Sequence, residues 1–294
     1  MEVTASSGRY REACAQARAT GRLLGFVPTM GALHQGHGRL LKQARAECGF
    51  VAMSIFVNPL QFSDTEDLEA YPRRPERDKA VAGSLGCDLL FGPSVGEMYP
   101  NGEPQVTVDP GPLGGRLEGR SRPGHFRGVL TAVAKLLNLT GPCRAYFGEK
   151  DAQQLALIDR MVQEMDVPVE VVGCPTVREI DGLALSSRNE LLSPEHRRAA
   201  PVLFEALSDA VTLARQGERQ GDVLRAEMAR RIGAEPLARL DYVAVVDDET
   251  WEEVAEIGRQ ARALVAASFG PIRLIDNLLL PWDGRSNVQN TDGS

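Results

Sequence analysis

Pro28-Thr29-Met30-Gly31-Ala32-Leu33-His34-Gln35-Gly36-His37 is the stretch on which the reading of this chain turns. The apolar run Leu23-Leu24-Gly25-Phe26-Val27 precedes it, and Gly38 to Glu47 reads as helix. A buried strand thus feeds the N-terminus of a helix, with glycines at 31 and 36 in the joint. Two of the chain's four histidines stand three residues apart there. A helix N-terminus carries unpaired N–H groups and the positive end of the macrodipole, so it attracts anions. Glycine lets a phosphate approach the backbone closely. Imidazoles at i and i+3 can donate to one phosphate group. The expectation is an anion site built from loop N–H groups and two imidazoles; the plainer alternative is two histidines in a polar turn.

Outward from that joint, strands and helices alternate. Residues 9–20 read as helix, 22–28 as strand, 37–48 as helix and 50–57 as strand. A loop rich in Pro, Asp and Arg leads to a helix near 75–86 and a short strand from Asp88 to Phe91. Gly and Pro dominate 92–124. Apolar residues at 126, 129, 130, 133, 136 and 137 make a helical stripe. Arg144 to Phe147 reads as strand, 151–165 as helix, and Val169 to Val172, apolar but for Glu170, as a strand. Such alternation implies right-handed βαβ crossovers, hence a Rossmann-like parallel sheet with helices on both faces. Ligands of such sheets bind at the carboxyl ends of the strands, where His34 and His37 fall. The pattern changes near Cys174-Pro175: helices at about 194–216 and 220–233, then strands near 240–247, 262–268 and 272–279. This predicts a catalytic domain over 1–175, a smaller C-terminal α+β lid domain over 176–282 and a disordered polar tail over 283–294.

Composition narrows the function classes. The chain has 294 residues, 43% apolar and 25% charged, which suits an ordinary globular protein. A net charge of −7 argues against a nucleic-acid partner, which would call for a basic surface. The five cysteines (14, 48, 87, 143 and 174) are dispersed and form no CxxC pair, which points to reduced thiols in a cytoplasm and not to a disulfide framework. No signal-peptide pattern opens the sequence, and no apolar run is long enough to span a bilayer.

Four further constellations carry chemistry. Asn58 and Gln61 leave the second strand where a ligand would sit, and their amides suit hydroxyls and carboxylates; a Pro-containing turn with a polar cap is the alternative. Arg120-Ser121-Arg122-Pro123-Gly124-His125-Phe126-Arg127 gathers three arginines and a third histidine at a helix start, as a cover for anions or as a solvated turn. Gly148-Glu149-Lys150-Asp151 follows another strand and opens a helix carrying Gln153 and Gln154. Lys150 offers a point charge for a phosphate, while Asp151 also reads as a helix N-cap. Leu185-Ser186-Ser187-Arg188-Asn189, just past the expected boundary, can grip a triphosphate or form a Ser-rich turn. His196 reads as an exposed surface residue.

Together and in this order, Pro28–His37, Ser54–Phe62, Arg122–Val129, Gly148–Gln154 and Leu185–Asn189 resemble the pantothenate synthetase (pantoate–β-alanine ligase) family, a branch of the HxGH nucleotidyltransferases. The resemblance runs from about Phe26 to Leu279. Leu185-Ser186-Ser187-Arg188 stands in place of the superfamily's second motif, with Leu185 where the family usually has Met; the swap conserves volume. The resemblance implies a two-step, ATP-dependent ligation: pantoate is adenylated, then β-alanine displaces AMP to give pantothenate. It carries ATP binding onto Met30, Gly31, Ala32, Leu33, His34, Gln35, Gly36, His37, Gly148, Glu149, Lys150, Asp151, Val177, Leu185, Ser186, Ser187 and Arg188. It makes His37 the proton donor, aided by His34, with Lys150 on the α/β phosphates. Pantoate falls to Gln61 and Gln154, with Asn58, His125 and Arg122 beside it. Mg²⁺ would bridge the phosphates, with Asp78 as the nearby carboxylate, and the family is usually a homodimer. The rival readings are a nucleotidyltransferase that leaves AMP on its product and a non-catalytic nucleotide-binding module.

Overall fold

The computed structural model describes residues 1–62 and 65–282. The expected disordered tail, 283–294, lies outside the described residues. The chain divides into two compact units: Met1–Val177 with Leu185–Ser187, and Arg178–Ala184 with the chain from Arg188 onward.

The first unit is built on parallel strands β1 (Glu2–Thr4), β2 (Leu24–Thr29), β3 (Phe50–Ile55), β4 (Leu89–Phe91), β5 (Cys143–Gly148) and β6 (Val169–Cys174), ordered β1-β4-β3-β2-β5-β6. The chain moves outward from β2 to β3 on one side and returns to β5 on the other. The crevice between β2 and β5 is therefore the point at which strand order reverses, where open α/β sheets bind ligands. Helices α1 (Ser7–Ala19), α2 (Gln35–Glu47), α3 (Thr65–Ala70), α4 (Pro75–Ser84), α5 (Val95–Met98), α6 (Glu118–Ser121), α7 (His125–Thr140) and α8 (Ala152–Glu164) complete the unit.

Strand alternation explains the two covered faces. On β2, Val27 packs in one buried cluster with Leu40, Leu41 and Ala44 of α2. A Cβ at Gly25, on the same face, would lie 3.3 Å from that of Ala44. Phe26 points the other way, to Tyr10 of α1, whose ring stacks 4.5 Å from that of Phe91 on β4. All six apolar stripe positions of α7 are buried. Their lateral burial follows directly from the 3.6-residue period.

The second unit has antiparallel strands β7 (Ala238–Asp247), β8 (Ala261–Phe269) and β9 (Ile272–Leu280), in that order, and helices α9 (Pro194–Ala199), α10 (Val202–Arg215) and α11 (Gly221–Gly233). Leu203, Leu207, Leu224 and Met228 form its core with Val245, Val265 and Phe269.

Several expectations need correction. The helix read at 194–216 is two, α9 and α10, because Pro201 lacks an N–H and ends the ladder. His196 is half-buried, not exposed; its Nδ1 lies 3.1 Å from Ser193 Oγ and its ring packs beside Gly270. The sequence patterns foresaw neither the short edge strand β1 nor α3; three and six residues are too few for a periodic signal. Among the described residues, no helix is long and apolar enough to cross a membrane.

Candidate active site

β2 ends at Thr29, and the loop to α2 is held tightly. Thr29 Oγ1 donates to the Ser54 carbonyl on β3 (2.8 Å) and accepts from Gly31 N (3.2 Å). Gly31 (φ +86°) and Ala32 (φ +50°) are both left-handed, a turn that a side chain at 31 would obstruct. Its Cβ would sit 3.0 Å from Ile55 Cγ2 and from Asp78 Oδ2. Asp78 comes from the first turn of α4 and is buried, 1% exposed. Its two oxygens accept from Ala32 N (2.9 Å) and Leu33 N (2.8 Å). The carboxylate fills the backbone anion nest that the loop creates.

The two histidines cap the helix reciprocally. Gly36 N donates to His34 Nδ1 (3.0 Å), and His34 N donates to His37 Nδ1 (3.3 Å). Gly36 must be glycine for this, since its Cβ would fall 2.7 Å from His34 Cε1. The rings lie 4.1 Å apart. An Nδ1 that accepts from an amide carries no proton, so each ring's proton sits on Nε2. His37 is pushed down to about 3, first by desolvation, then by the His34 ring, against the opposing pull of Asp151. It is therefore a neutral Nε2–H donor at pH 7.

This corrects the expected phosphate site. The amides of Gly31, Ala32, Leu33, His34, Gly36 and Gly38 already donate to Thr29, Asp78, His37, His34 and the His34 carbonyl. What the loop presents is imidazole N–H, not a row of open backbone amides. Leu33 is buried and Gln35 exposed.

β5 delivers the third part. Gly148 ends the strand, and a Cβ there would meet nothing within 4 Å, so the glycine fronts open space. Glu149–Asp151 form one 3₁₀ turn ahead of α8, and Lys150 Nζ lies 3.4 Å from Asp151 Oδ1. β2 pairs with β5 in parallel, so the loops that follow them, carrying His37 and Lys150–Asp151, leave the same edge of the sheet at the switch point. Asp151 stands at the N-cap of α8, yet its side chain makes no capping hydrogen bond.

The amide pair that follows β3, Asn58 and Gln61, divides its tasks. Asn58 is buried: Nδ2 donates to Gln61 Oε1 (3.1 Å) and the Gly128 carbonyl (3.0 Å), and Oδ1 accepts from Tyr99 Oη (2.9 Å) and Leu60 N (3.3 Å). Its capacity goes into the fold. Gln61 Nε2 points instead at Met30 Sδ, 3.0 Å away, bringing it to the histidine loop. His125 and Arg122 touch the Gln61 main chain, not its amide. On α8, Gln153 is buried against Leu113 O, Arg116 O and Glu118 N, whereas Gln154 is half-buried.

Val177 O accepts from Leu185 N (2.9 Å), closing a hairpin. That closure brings Leu185–Ser187 back to the first unit, while Arg188 groups with the second. Tyr71 Oη, which no local pattern picked out, lies 3.3 Å from Ser187 Oγ. Among the described residues, no group of three His, Cys, Asp or Glu could hold a metal ion, and Asp78 spends its oxygens on the loop.

A family model described as pantoate-beta-alanine ligase matches residues 2–279. This chain belongs to the pantoate–β-alanine ligase family. It is 51% identical over 283 residues to a pantothenate synthetase of Rubrobacter xylanophilus, covering 94% of this chain and 97% of that protein. It is 52% identical to that of Chloroflexus aurantiacus, covering 97% and 100%. The crystal structure of pantothenate synthetase from Thermus thermophilus superposes with a TM-score of 0.88 at 49% identity, over 95% of this chain and 99% of that one. The pantoate–β-alanine ligase of Francisella tularensis, complexed with beta-gamma ATP and β-alanine, gives a TM-score of 0.78 at 34% identity, over 95% and 97%. In this fold Met30, His34 and His37 follow β2, Gln61 follows β3, and Lys150 and Asp151 follow β5, three neighbouring strands of one sheet.

Proposed function

We infer that the chain is an ATP-dependent ligase that joins pantoate to β-alanine, making pantothenate. The observation that carries this reading is the near-full-length family match, on a chain whose imidazole pair and lysine follow the two adjacent strands that flank the sheet's switch point. A pantoate carboxylate oxygen attacks the α-phosphorus of ATP. The α–β anhydride bond breaks, and pyrophosphate leaves with its electron pair. The β-alanine amine then attacks the acyl carbon, loses its proton, and AMP leaves.

Such chemistry needs positioning and charge stabilisation more than a protein nucleophile. His37, neutral and protonated at Nε2, serves as a hydrogen-bond donor to phosphate oxygens rather than as a proton source. His34 stands beside it in the same tautomer. Lys150 supplies the cation for the phosphates, with Gly148 leaving room beside it. Gln61 and Gln154 bind pantoate. A thioether is a weak acceptor, so the Gln61 N–H resting on Met30 is readily taken over by a carboxylate or hydroxyl. Val177, Leu185, Ser186 and Ser187 complete the nucleotide site of the first unit.

Among the described residues no cluster fits a resident metal. Mg²⁺ enters as part of the substrate, MgATP, held by the phosphates and its own waters. Five free, buried cysteines support a reducing cytoplasm. The homodimer usual in the family is the oligomeric state expected of this chain, and Val106, 86% exposed, is a surface position at which to probe it. Light scattering of the purified chain and of Val106→Asp tests it.

The decisive assay is pantoate-dependent pyrophosphate release, with and without β-alanine. Free AMP that forms only when β-alanine is present supports the ligase. AMP retained on the product would indicate a nucleotidyltransferase instead.

A further inference from the structure

Gly128 lets α7 lie directly on the Asn58–Gln61 turn; a Cβ there would sit 2.2 Å from the Leu60 carbonyl oxygen. His125, the first residue of α7, uses that closeness. Its Nδ1 lies 2.8 Å from the Gln61 carbonyl oxygen, which can only accept, so Nδ1 carries the proton. Its Nε2 lies 3.3 Å from Arg122 Nη1, which can only donate, so Nε2 is unprotonated. Arg122 Nη2 also donates to the same Gln61 carbonyl (3.3 Å). Asn58 holds the Gln61 side chain at Oε1 (3.1 Å). Gln61 is thereby gripped at both oxygens, and only its Nε2 faces the Met30 loop.

We propose that His125 is a positioning residue: with Arg122 it fixes how Gln61 presents its amide, and so sets pantoate affinity without contacting pantoate. The inference rests on the reading of Gln61 as a pantoate contact. The imidazole suits the task because it stays neutral: burial, then the Arg122 charge, push it down to about 4.

Apparent KM values for pantoate and ATP test this in the full-length enzyme. His125→Leu keeps bulk and removes the donor. It should raise the pantoate KM about 3–10-fold, the worth of one net hydrogen bond, and leave the ATP KM unchanged. His125→Asn places an amide N–H near the lost Nδ1–H and should restore the wild-type value. In a Gln61→Ala background, His125→Leu should add nothing further. Three results would each overturn the proposal: an Asn variant as impaired as the Leu variant, an ATP KM that rises as far as the pantoate KM, or an undiminished His125→Leu effect without Gln61. If Gln61→Ala alone leaves the pantoate KM unchanged, the pantoate reading of Gln61 itself fails, and the inference falls with it.

Discussion

Two histidine clusters in the first unit use the same ring in opposite ways. At the start of α2, the Nδ1 atoms of His34 and His37 face backbone N–H groups, which leaves the protons on Nε2. At the start of α7, Nδ1 of His125 faces a carbonyl, and Nε2 faces a guanidinium. Both His37 and His125 are held neutral, largely by burial. What separates them is the backbone partner, since an amide demands an acceptor and a carbonyl demands a donor. His37 keeps an N–H on the side of the ring away from the backbone. His125 spends both nitrogens inside the protein. In the proposed mechanism the first acts on a ligand, and the second holds a residue that does.

The largest effect should come from the first cluster. His37→Ala should cut pantoate-dependent pyrophosphate release about 10²–10³-fold, the usual loss on removing one preorganised donor. His37→Gln, whose amide N–H reaches toward the former Nε2 position, should recover part of it, and His37→Asn should not. Equal failure of Gln and Asn would mean that the Nε2–H is not the working group.

Lys150→Ala comes next, with a loss of about 10²-fold in the same assay. Supplying pre-formed pantoyl-adenylate with β-alanine should bypass most of that defect. If the second step falls as far as the first, Lys150 does not act on the ATP phosphates.

Asp78→Asn retains the shape of the buried carboxylate but turns a donor toward the Ala32 or Leu33 amide. About 1.5–3 kcal/mol of stability should be lost in denaturant titrations, with the Mg²⁺ concentration for half-maximal rate unchanged. A shifted Mg²⁺ requirement would return Asp78 to the metal.

The smallest effect is in pH dependence. Folding lowers the pKa of His37 from its ordinary 6.5 to about 3. Between those values the unfolded chain binds the extra proton and the folded chain does not. His37 therefore costs no stability above pH 6.5, and its penalty grows as pH falls toward 3. His37→Gln should narrow the gap between melting temperatures at pH 7 and pH 4.5, by a few degrees at most. An unchanged gap would show that His37 is not held neutral.

Legibility differed between features for physical reasons. The α7 stripe was readable because burial of one helix face imposes a 3.6-residue period on the sequence itself. The parallel sheet was readable because helices alternate with short apolar strands. Lys150 could be singled out by its place after an apolar strand. The bonds of Asp78 to the loop amides could not be read, because its partners lie 46 and 45 positions away and nothing local marks them. Asn58 and Gln61 look alike in the sequence, yet one is consumed by Gly128 and Tyr99 while the other reaches the histidine loop. Gln153 and Gln154 divide in a similar way, with Gln153 buried against three backbone groups.

By itself, the order of residues determined the element types, the strand-to-helix joint at Pro28–His37 and the family's motifs, because periodicity, turn chemistry and helix starts are short-range properties. Only the tertiary structure decided which N–H met which acceptor. Asp78 closed the backbone nest, amides and carbonyls chose the imidazole tautomers, and Gly128 admitted α7 onto the Gln61 turn. A buried donor or acceptor must find its partner among whatever packing brings within about 3 Å, and that distance is set by the fold, not by spacing along the chain.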